Sequence, residues 1–216
     1  MFLSRTEVAA IDARVAAVEA ATGVQVVAAV IGKADDYAEL PWKAFALGAA
    51  LAAFATVLAE ASRLEWTTAH AALVHAVTIL GAGAASALAA VFIPAFARMF
   101  LRATRRDLEV RHYARSLFLE RELFKTRERT GVLILVSVFE RRIELLPDVG
   151  FGNRVTAADW HRVVARMTPD LHGKRPFDAL QEGLAGLQDL LARKGFRPRE
   201  GSANELPDKP IQERGG

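Results

Sequence analysis

The chain contains no cysteine among its 216 residues. It therefore cannot form a disulfide, a thiolate zinc site, an iron–sulfur cluster or a cysteine nucleophile. Aromatic residues make up only 8% of the sequence, and the 28 basic residues barely outnumber the 25 acidic ones. The sequence also lacks a phosphate-binding loop of the GxxxxGK type and a dinucleotide-binding fingerprint. These absences exclude several enzyme classes and leave the distribution of apolar and charged residues as the main source of information.

Two long uncharged runs lie in the middle of the chain. The first comprises 16 residues, 44–59, and the second comprises 22 residues, 76–97. As a helix, the second run would be about 33 Å long, which matches a hydrocarbon core about 30 Å thick. We predict two transmembrane spans, at about residues 42–59 and 76–97, joined by a short polar connection. The alternative is an alanine-rich hairpin in a soluble core, but so short a chain offers little protein to cover the second run on every face.

Basic residues flank these spans unequally. Four arginines follow the second span closely: Arg98, Arg102, Arg105 and Arg106. Lys33 and Lys43 precede the first span, whereas the connection contains a single basic residue, Arg63. Because lysine and arginine are enriched on the cytoplasmic side, we expect both termini to be cytoplasmic. The predicted location is the plasma (inner) membrane of a bacterium, as a multi-pass protein. Trp42 and Trp66, at opposite ends of the first span, suit the headgroup region.

Composition also indicates which partners to expect. The basic residues lack the interleaved aromatics or the recognisable motif of a nucleic-acid surface, so we expect no nucleic-acid partner. Both spans are rich in small residues, including the stretch 81–86, and such residues let helices approach closely in lipid. We expect the hairpin to pack on itself, and a homo-oligomer through these faces is a further hypothesis. The other expected partners are the lipid bilayer and an unidentified membrane protein or complex.

The segment before the spans has the pattern of a helix followed by a strand. Ser4 and Glu7 have the spacing of a capping box, and apolar residues follow at intervals of three and four. This pattern predicts an amphipathic helix from Arg5 to about Ala21. Residues 24–31 are apolar and mostly β-branched, which is typical of a buried strand.

The segment after the spans continues the same kind of domain. A charged helix is predicted over 105–127, followed by a strand at 132–139 and, after a short turn, an alternating strand at 142–146. Thr156 and Asp159 repeat the capping-box spacing, and Pro176 opens the last predicted helix. The apolar content falls sharply after residue 196, so we predict a disordered tail at 197–216.

Neither flank can bury its own strands, since a lone strand or hairpin is not stable in water. We therefore predict one α/β sandwich assembled from residues 1–33 and 107–196. Residues 34–106 interrupt it as a two-helix membrane hairpin. A helical hairpin returns the chain to the side from which it left, which allows the two flanks to meet.

The stretch GVLILVSVFERRIELLPDVG, residues 131–150, resembles the TPM domain family, as do Trp160, Pro169, Phe177 and the segment 182–184. The segment 4–31 is similar to the opening helix and strand of that family, so the resemblance covers about residues 3–33 and 107–196. It implies a small α/β sandwich that is often tethered to a membrane. It also implies either calcium binding or acid phosphatase activity, both proposed for some members, or an accessory role in maintaining membrane complexes.

The sequence departs from that family at its metal-linked positions. Many members have an acidic residue before the glycine that opens the central strand and an aspartate after the glycine-rich loop. Here the first region is Arg129-Thr130-Gly131, and residues 155–158 are Val-Thr-Ala-Ala. We therefore expect no cofactor, with Ca²⁺ as the alternative.

Four residues remain as weak site candidates, and no catalytic or cofactor-binding residue can be assigned. Asp148 and Asp159 are the metal candidates, although Ca²⁺ needs six to eight oxygens. Their structural alternatives are a turn-stabilising aspartate and a capping-box residue. Arg141 and Arg142, at the predicted turn, are candidates for a phosphate or another anion, and charges exposed to solvent are the alternative.

Two functions follow from these features. The main hypothesis is an integral membrane protein whose cytoplasmic TPM-like domain is a non-catalytic accessory or interaction protein for membrane complexes. The alternative is a membrane-tethered acid phosphatase with a divalent metal. Convergence of Asp148, Asp159 and the loop 150–153 on one cation site would favour the enzyme, and carboxylates held apart would disfavour it.

Overall fold

The computed structural model describes residues 2–62, 69–198 and 210–215. The chain divides into two compact units. Residues 1–36 and 106–216 form the sheet unit, and residues 37–105 form the hairpin unit. Arg63, on which the predicted orientation depends, and Trp66, predicted to lie in the headgroup region, are outside the described residues.

The sheet unit contains the elements predicted for the two flanks. Its helices are α1 (Arg5–Thr22), α5 (Ala103–Glu120, which begins in the hairpin unit), α6 (Ala157–His172) and α7 (Pro176–Arg193). Its strands are β1 (Val26–Lys33), β2 (Val132–Ser137), β3 (Arg142–Pro147) and β4 (Ile211–Gly215). Short 3₁₀ helices span Leu123–Lys125 and Val149–Arg154. Both predicted capping boxes, at Ser4 and at Thr156, are present.

Within the described residues, the strands form one sheet in the order β3-β2-β1-β4. Strands β1 and β2 run parallel with Val26 opposite Val132, and β3 pairs antiparallel with β2. All of β2 is buried, as expected for its apolar run 132–136. The predicted α/β fold class is confirmed.

Helices cover both faces of this sheet. Successive side chains of β1 point to opposite sides, and both sets are apolar, so both faces must be covered. Val26, Ala28 and Val30 pack with apolar residues of α1, α6 and α7. Val27 and Ala29 pack on the other face with residues of α5, such as Leu117. The sheet unit is therefore a sandwich of a sheet between two helical layers.

The prediction that residues 197–216 are disordered is wrong for Ile211–Gly215. This segment forms β4 and pairs parallel with β1, with Ala29 opposite Ile211 and Ile31 opposite Glu213. An edge strand is held mainly by backbone hydrogen bonds, so its low apolar content did not reveal it. Residues 199–209 and residue 216 of the predicted tail lie outside the described part of the chain.

The hairpin unit contains α2 (Glu39–Ala61), α3 (Ala69–Phe92) and the short α4 (Pro94–Met99). Helices α2 and α3 are long and apolar enough to cross a membrane. They pack closely: a side chain at Gly48 would collide with Ser86, and one at Gly83 with the Phe45 ring. The hairpin thus packs on itself through small residues, as expected.

The second predicted span, 76–97, is not one continuous helix. Helix α3 ends at Phe92, Ile93 has an extended backbone (φ −115°, ψ 94°), and Pro94 opens α4. Proline lacks a backbone N–H and disfavours the helical conformation of the residue before it, which explains the break. The helical part long and apolar enough to span is His70–Phe92.

Candidate functional site

Asp148 lies directly after β3, and its carboxylate is bound by Arg129. Arg129 donates from Nε to Oδ2 at 2.7 Å and from Nη2 to Oδ1 at 3.0 Å. The backbone N–H of Val149 donates to the same carboxylate at 2.7 Å. The Asp148 side chain is only 4% exposed, whereas that of Arg129 is 48% exposed. A cationic side chain of the chain itself therefore occupies both carboxylate oxygens.

These contacts determine the charge of the pair. Burial acts to raise the pKa of Asp148, but the hydrogen bonds from Arg129 and from the Val149 N–H outweigh it, and the pKa lies below its ordinary value. The hydrogen bond to Asp148 in turn raises the pKa of Arg129. Both groups are charged at neutral pH, so their attraction is a charge-assisted, bidentate interaction.

The backbone holds Arg129 in place for this contact. Arg129 has a positive φ of 56°, and its N–H donates to the Thr126 carbonyl at 3.0 Å. Its own carbonyl accepts from the Gly150 N–H at 2.8 Å. A Cβ at Gly150 would collide with the carbonyls of Glu128 and Arg129, so glycine is required for this close approach. The loop after β3 and the turn before β2 are thus interlocked around the ion pair.

Asp159 has a separate set of partners at the start of α6. It accepts hydrogen bonds from the Thr156 N–H and the Thr156 hydroxyl, both at 2.9 Å. Lys194 lies 2.7 Å away, and Arg162 also pairs with this carboxylate. The hydrogen bond from Lys194 and then those from Thr156 hold the pKa of Asp159 well below its usual range. Asp159 is therefore both a capping-box residue and the acceptor for two basic side chains.

The carboxylates of Asp148 and Asp159, as they are placed here, do not fit a divalent cation. Arg129, Lys194 and Arg162 already neutralise the two candidate carboxylates, and Asp148 and Asp159 share no hydrogen-bond partner. In residues 2–62, 69–198 and 210–215, no group of three or more acidic or histidine side chains could hold a metal ion. Ca²⁺ needs six to eight oxygens without competing cations beside them.

The two candidate arginines lie at the opposite end of β2 and differ from each other. Arg142 donates to both carboxylate oxygens of Asp107, at 2.6 and 2.7 Å, and is therefore engaged. Arg141 sits in the turn with a positive φ of 52° and makes no hydrogen bond or ion pair with the described residues. Anion binding at this turn stays a prediction, and Arg141 is the member of the pair with its guanidinium available.

Glu140 is a residue that the sequence analysis did not single out. It is fully buried at the turn, accepts from the Ala34 N–H at 2.8 Å, and also bonds the Ser137 hydroxyl. It thereby ties the chain leaving β1 to the end of β2. Glu140 precedes two arginines in a predicted turn, and charged residues in turns are usually exposed to solvent. The sequence therefore did not indicate that Glu140 is buried.

A second missed group anchors β4. The Tyr113 hydroxyl donates to Glu213 at 2.5 Å, and Arg121 donates to the same carboxylate at 3.4 Å. Burial, followed by the bond to Glu213, raises the pKa of Tyr113, so the hydroxyl stays protonated as a donor. Gln212 accepts from the backbone N–H groups of Phe2 and Leu3 at 3.3 and 3.0 Å. Backbone N–H groups near the start of the chain and the side chains of Tyr113 and Arg121 therefore hold the last strand.

The hairpin unit has polar side-chain contacts at both ends. Arg105 lies 2.9 Å and Lys43 lies 3.6 Å from Glu39. At the other end, His75 Nε2 lies 3.2 Å from Glu60 Oε1. These contacts link α2 to the start of α5 and to α3, and they leave the middle of the hairpin apolar.

Comparison with known proteins gives two results. The family model for the TPM domain matches residues 86–190, from within α3 to within α7. The NMR structure of the BA42 protein from the psychrophilic bacterium Bizionia argentinensis superposes with a TM-score of 0.58 at 14% identity. The alignment covers 98% of this chain and 96% of that chain, and at this identity it supports the fold alone.

No curated protein matches the chain. The resemblance expected for residues 107–196 falls almost wholly within the matched segment, whereas residues 3–33 lie outside it. The matched segment contains the β2–β3 hairpin, Asp148 after it and Asp159 in α6. Strands β1 and β4, which lie outside that segment, complete the same sheet. This match shows that the chain contains a TPM domain, with the family model covering residues 86–190.

Proposed function

We propose that this protein is an integral membrane protein in which α2 and α3 anchor a cytoplasmic TPM domain. The domain acts as a non-catalytic accessory or interaction module for membrane complexes. The observation that carries the anchor is the exposure of the hairpin: the apolar windows of its two helices are only 6% and 11% buried. Leu51, Phe54 and Val77, for example, are 60%, 68% and 63% exposed.

The exposed apolar surface of the hairpin favours a lipid environment. Removing one large apolar side chain from water stabilises the protein by roughly 1.5–3 kcal/mol, and the hairpin exposes many such side chains. A soluble protein rarely exposes an apolar surface that extends over two long helices. The basic residues after Pro94, such as Arg98 and Arg102, support an orientation with both flanks in the cytoplasm.

The non-catalytic role is supported by the state of the two candidate carboxylates. A metal-dependent phosphatase needs carboxylate oxygens that are free to bind the metal. Here Arg129 binds Asp148 bidentately, and Lys194 binds Asp159. Engaging a metal would require both ion pairs to break, which favours an interaction module over the phosphatase.

Extraction of membranes at alkaline pH tests the anchor. We expect the full chain to remain in the membrane pellet and to be released only by detergent. Alkaline pH breaks the polar contacts that hold peripheral proteins, but it does not extract helices that span the bilayer. Release of the chain into the alkaline supernatant would contradict the anchor. This result does not depend on any enzymatic activity.

Hydrolysis of a generic phosphate ester tests the non-catalytic role. We would assay the detergent-purified full chain from acid to neutral pH, with and without Ca²⁺ or Mg²⁺. We expect no activity above a heat-inactivated control. Metal-dependent activity that is lost in Asp148→Ala or Asp159→Ala, and retained in the exposed control Asp36→Ala, would establish the phosphatase instead.

A further inference from the structure

One end of the hairpin, where the chain enters α2 and leaves α3, is strongly basic. It comprises residues 37–45 and 92–105, all within the hairpin unit. Helix α4 contacts both α2 and α3, so these two segments lie together. They contain a single acidic residue, Glu39, and four basic ones: Lys43, Arg98, Arg102 and Arg105. We call residues 37–45 and 92–105 the basic end of the hairpin.

The basic end does not neutralise its own charge. Glu39 lies 2.9 Å from Arg105 and 3.6 Å from Lys43, so one carboxylate serves two cations. Arg102 is exposed and makes no hydrogen bond or ion pair with the described residues. A net positive charge therefore remains at this end, and the Arg102 guanidinium has its N–H donors available.

Exposed apolar side chains accompany these cations. Trp42, Phe92 and Met99 belong to the basic end and are all largely exposed. Tryptophan favours the headgroup region, and an arginine stem lies along apolar surroundings while its guanidinium reaches the polar level. With α2 and α3 in the bilayer, we therefore expect the Arg102 guanidinium at the depth of the lipid phosphates.

We propose that the basic end of the hairpin binds the headgroups of anionic phospholipids, with the Arg102 guanidinium as its principal donor. This inference rests on the proposed membrane anchor and names the class of lipid beside it. A guanidinium donates two parallel hydrogen bonds to a phosphate. A zwitterionic headgroup also has a phosphate, but its own cationic group neutralises it. An end with surplus positive charge therefore favours lipids of net negative charge.

Headgroup binding differs from the role of basic residues in setting orientation. Orientation is determined during insertion, and it depends on the number of basic residues near the span. Headgroup binding persists in the inserted protein and depends most on the cation that has no partner within the described chain. The lipid selectivity of the folded protein, and its response to a change at Arg102, therefore separate the two roles.

Fluorescence quenching by brominated lipids measures this selectivity, because Trp42 belongs to the basic end. We would reconstitute the full chain carrying Trp66→Phe into phosphatidylcholine vesicles. The vesicles would contain the same fraction of either brominated phosphatidylglycerol, which is anionic, or brominated phosphatidylcholine. Trp160 packs against Phe151 in the sheet unit, and a Trp42→Phe variant of the same chain measures its contribution. The ratio of the two corrected quenching levels gives the lipid selectivity at the basic end.

We expect a selectivity for phosphatidylglycerol of at least about fivefold, the contribution of one basic residue beside an anionic lipid surface. Arg102→Gln should remove most of it, and Arg102→Lys, which keeps the charge, should retain most of it. The matched control is Arg193→Gln, at an exposed arginine of α7 that also makes no ion pair or hydrogen bond with the described residues. It should leave the selectivity unchanged. Equal losses for Arg102→Gln and Arg193→Gln, or no loss for Arg102→Gln, would overturn the site.

The same measurement distinguishes failure of headgroup binding from failure of the anchor. Quenching of Trp42 by neither brominated lipid would contradict membrane insertion itself. Equal quenching by both lipids would leave the anchor intact and overturn headgroup binding. Inorganic phosphate, compared with chloride at the same ionic strength, should leave the selectivity unchanged. Loss of the selectivity in phosphate alone would assign the site to a soluble anion and overturn the binding of lipid.

Discussion

The sheet unit and the hairpin unit use similar apolar residues in opposite ways. Leu187 in α7 is fully buried by protein, whereas Leu51 in α2 is 60% exposed. In the sheet unit, apolar residues follow the period of each helix or strand and are covered by the opposite layer. In the hairpin unit, they surround both helices, and small residues such as Gly48 and Gly83 allow the two helices to approach closely. Arrangement and not composition therefore distinguishes a core from a surface that suits lipid.

The largest contrast should appear on truncation of leucine in each unit. Leu187→Ala should lower the free energy of unfolding of the sheet unit by about 2–5 kcal/mol, because it leaves a cavity in a packed core. Leu51→Ala should change it by less than about 0.5 kcal/mol. Chemical denaturation of the detergent-solubilised chain, followed by tryptophan fluorescence, measures both. Similar losses for the two variants would break the distinction between the units.

A charge placed in the hairpin should have nearly as large an effect, on insertion. Leu80→Arg, near the middle of α3, should disfavour insertion by about 2.5–3.5 kcal/mol. The matched control is Leu119→Arg in α5, since Leu80 and Leu119 are 60% and 63% exposed. Quantifying the membrane-bound fraction by alkaline extraction distinguishes them. We expect a reduced bound fraction for Leu80→Arg alone, and an equal reduction for Leu119→Arg would argue against α3 as a span.

Glycine substitution gives a smaller contrast. Gly150→Ala should destabilise the sheet unit by about 1–3 kcal/mol, because the new Cβ meets the carbonyls of Glu128 and Arg129. Gly81 has no atom within 4 Å of such a Cβ, so Gly81→Ala should be neutral or slightly favourable to its helix. Thermal unfolding of both variants measures the difference. A neutral Gly150→Ala would show that the loop around Asp148 is not tightly interlocked.

The smallest expected effect concerns acid pH. The folded pKa values of Asp148 and Asp159 are lowered. Their contribution to stability is therefore present above the unfolded value of about 3.9 and is lost as the pH falls through the folded values. Asp148→Asn should flatten the loss of unfolding free energy below about pH 4, by no more than about 1 kcal/mol. The exposed control Asp36→Asn should leave the profile unchanged, and an unchanged profile for Asp148→Asn would contradict the ion pair.

Local patterns predicted much of the fold. The capping boxes at Ser4 and Thr156, the buried strand after residue 131 and the two apolar helices depend on nearby residues, and all are present. The assembly of one sheet from two flanks followed because neither flank can bury its strands alone. Strand β4 was missed because it is defined by a distant backbone edge and not by its own sequence.

The sites were less predictable because their partners are distant in sequence. The spacing of three residues from Thr156 predicts Asp159 as a capping-box residue, and it is one. Arg129 and Asp148 are 19 residues apart, and Arg142 and Asp107 are 35 apart. No sequence spacing indicates such pairs, so the sequence alone does not reveal that Arg129 binds Asp148.

Two single cysteines in the full chain test the central claim, that the hairpin crosses the membrane twice. Ser62 lies at the end of α2 and Ser116 lies on α5, and both are exposed. With a membrane-impermeant maleimide on intact spheroplasts, the account predicts labelling of Ser62→Cys and protection of Ser116→Cys until the membrane is lysed. Labelling of Ser116→Cys before lysis, or protection of both cysteines until lysis, would contradict it.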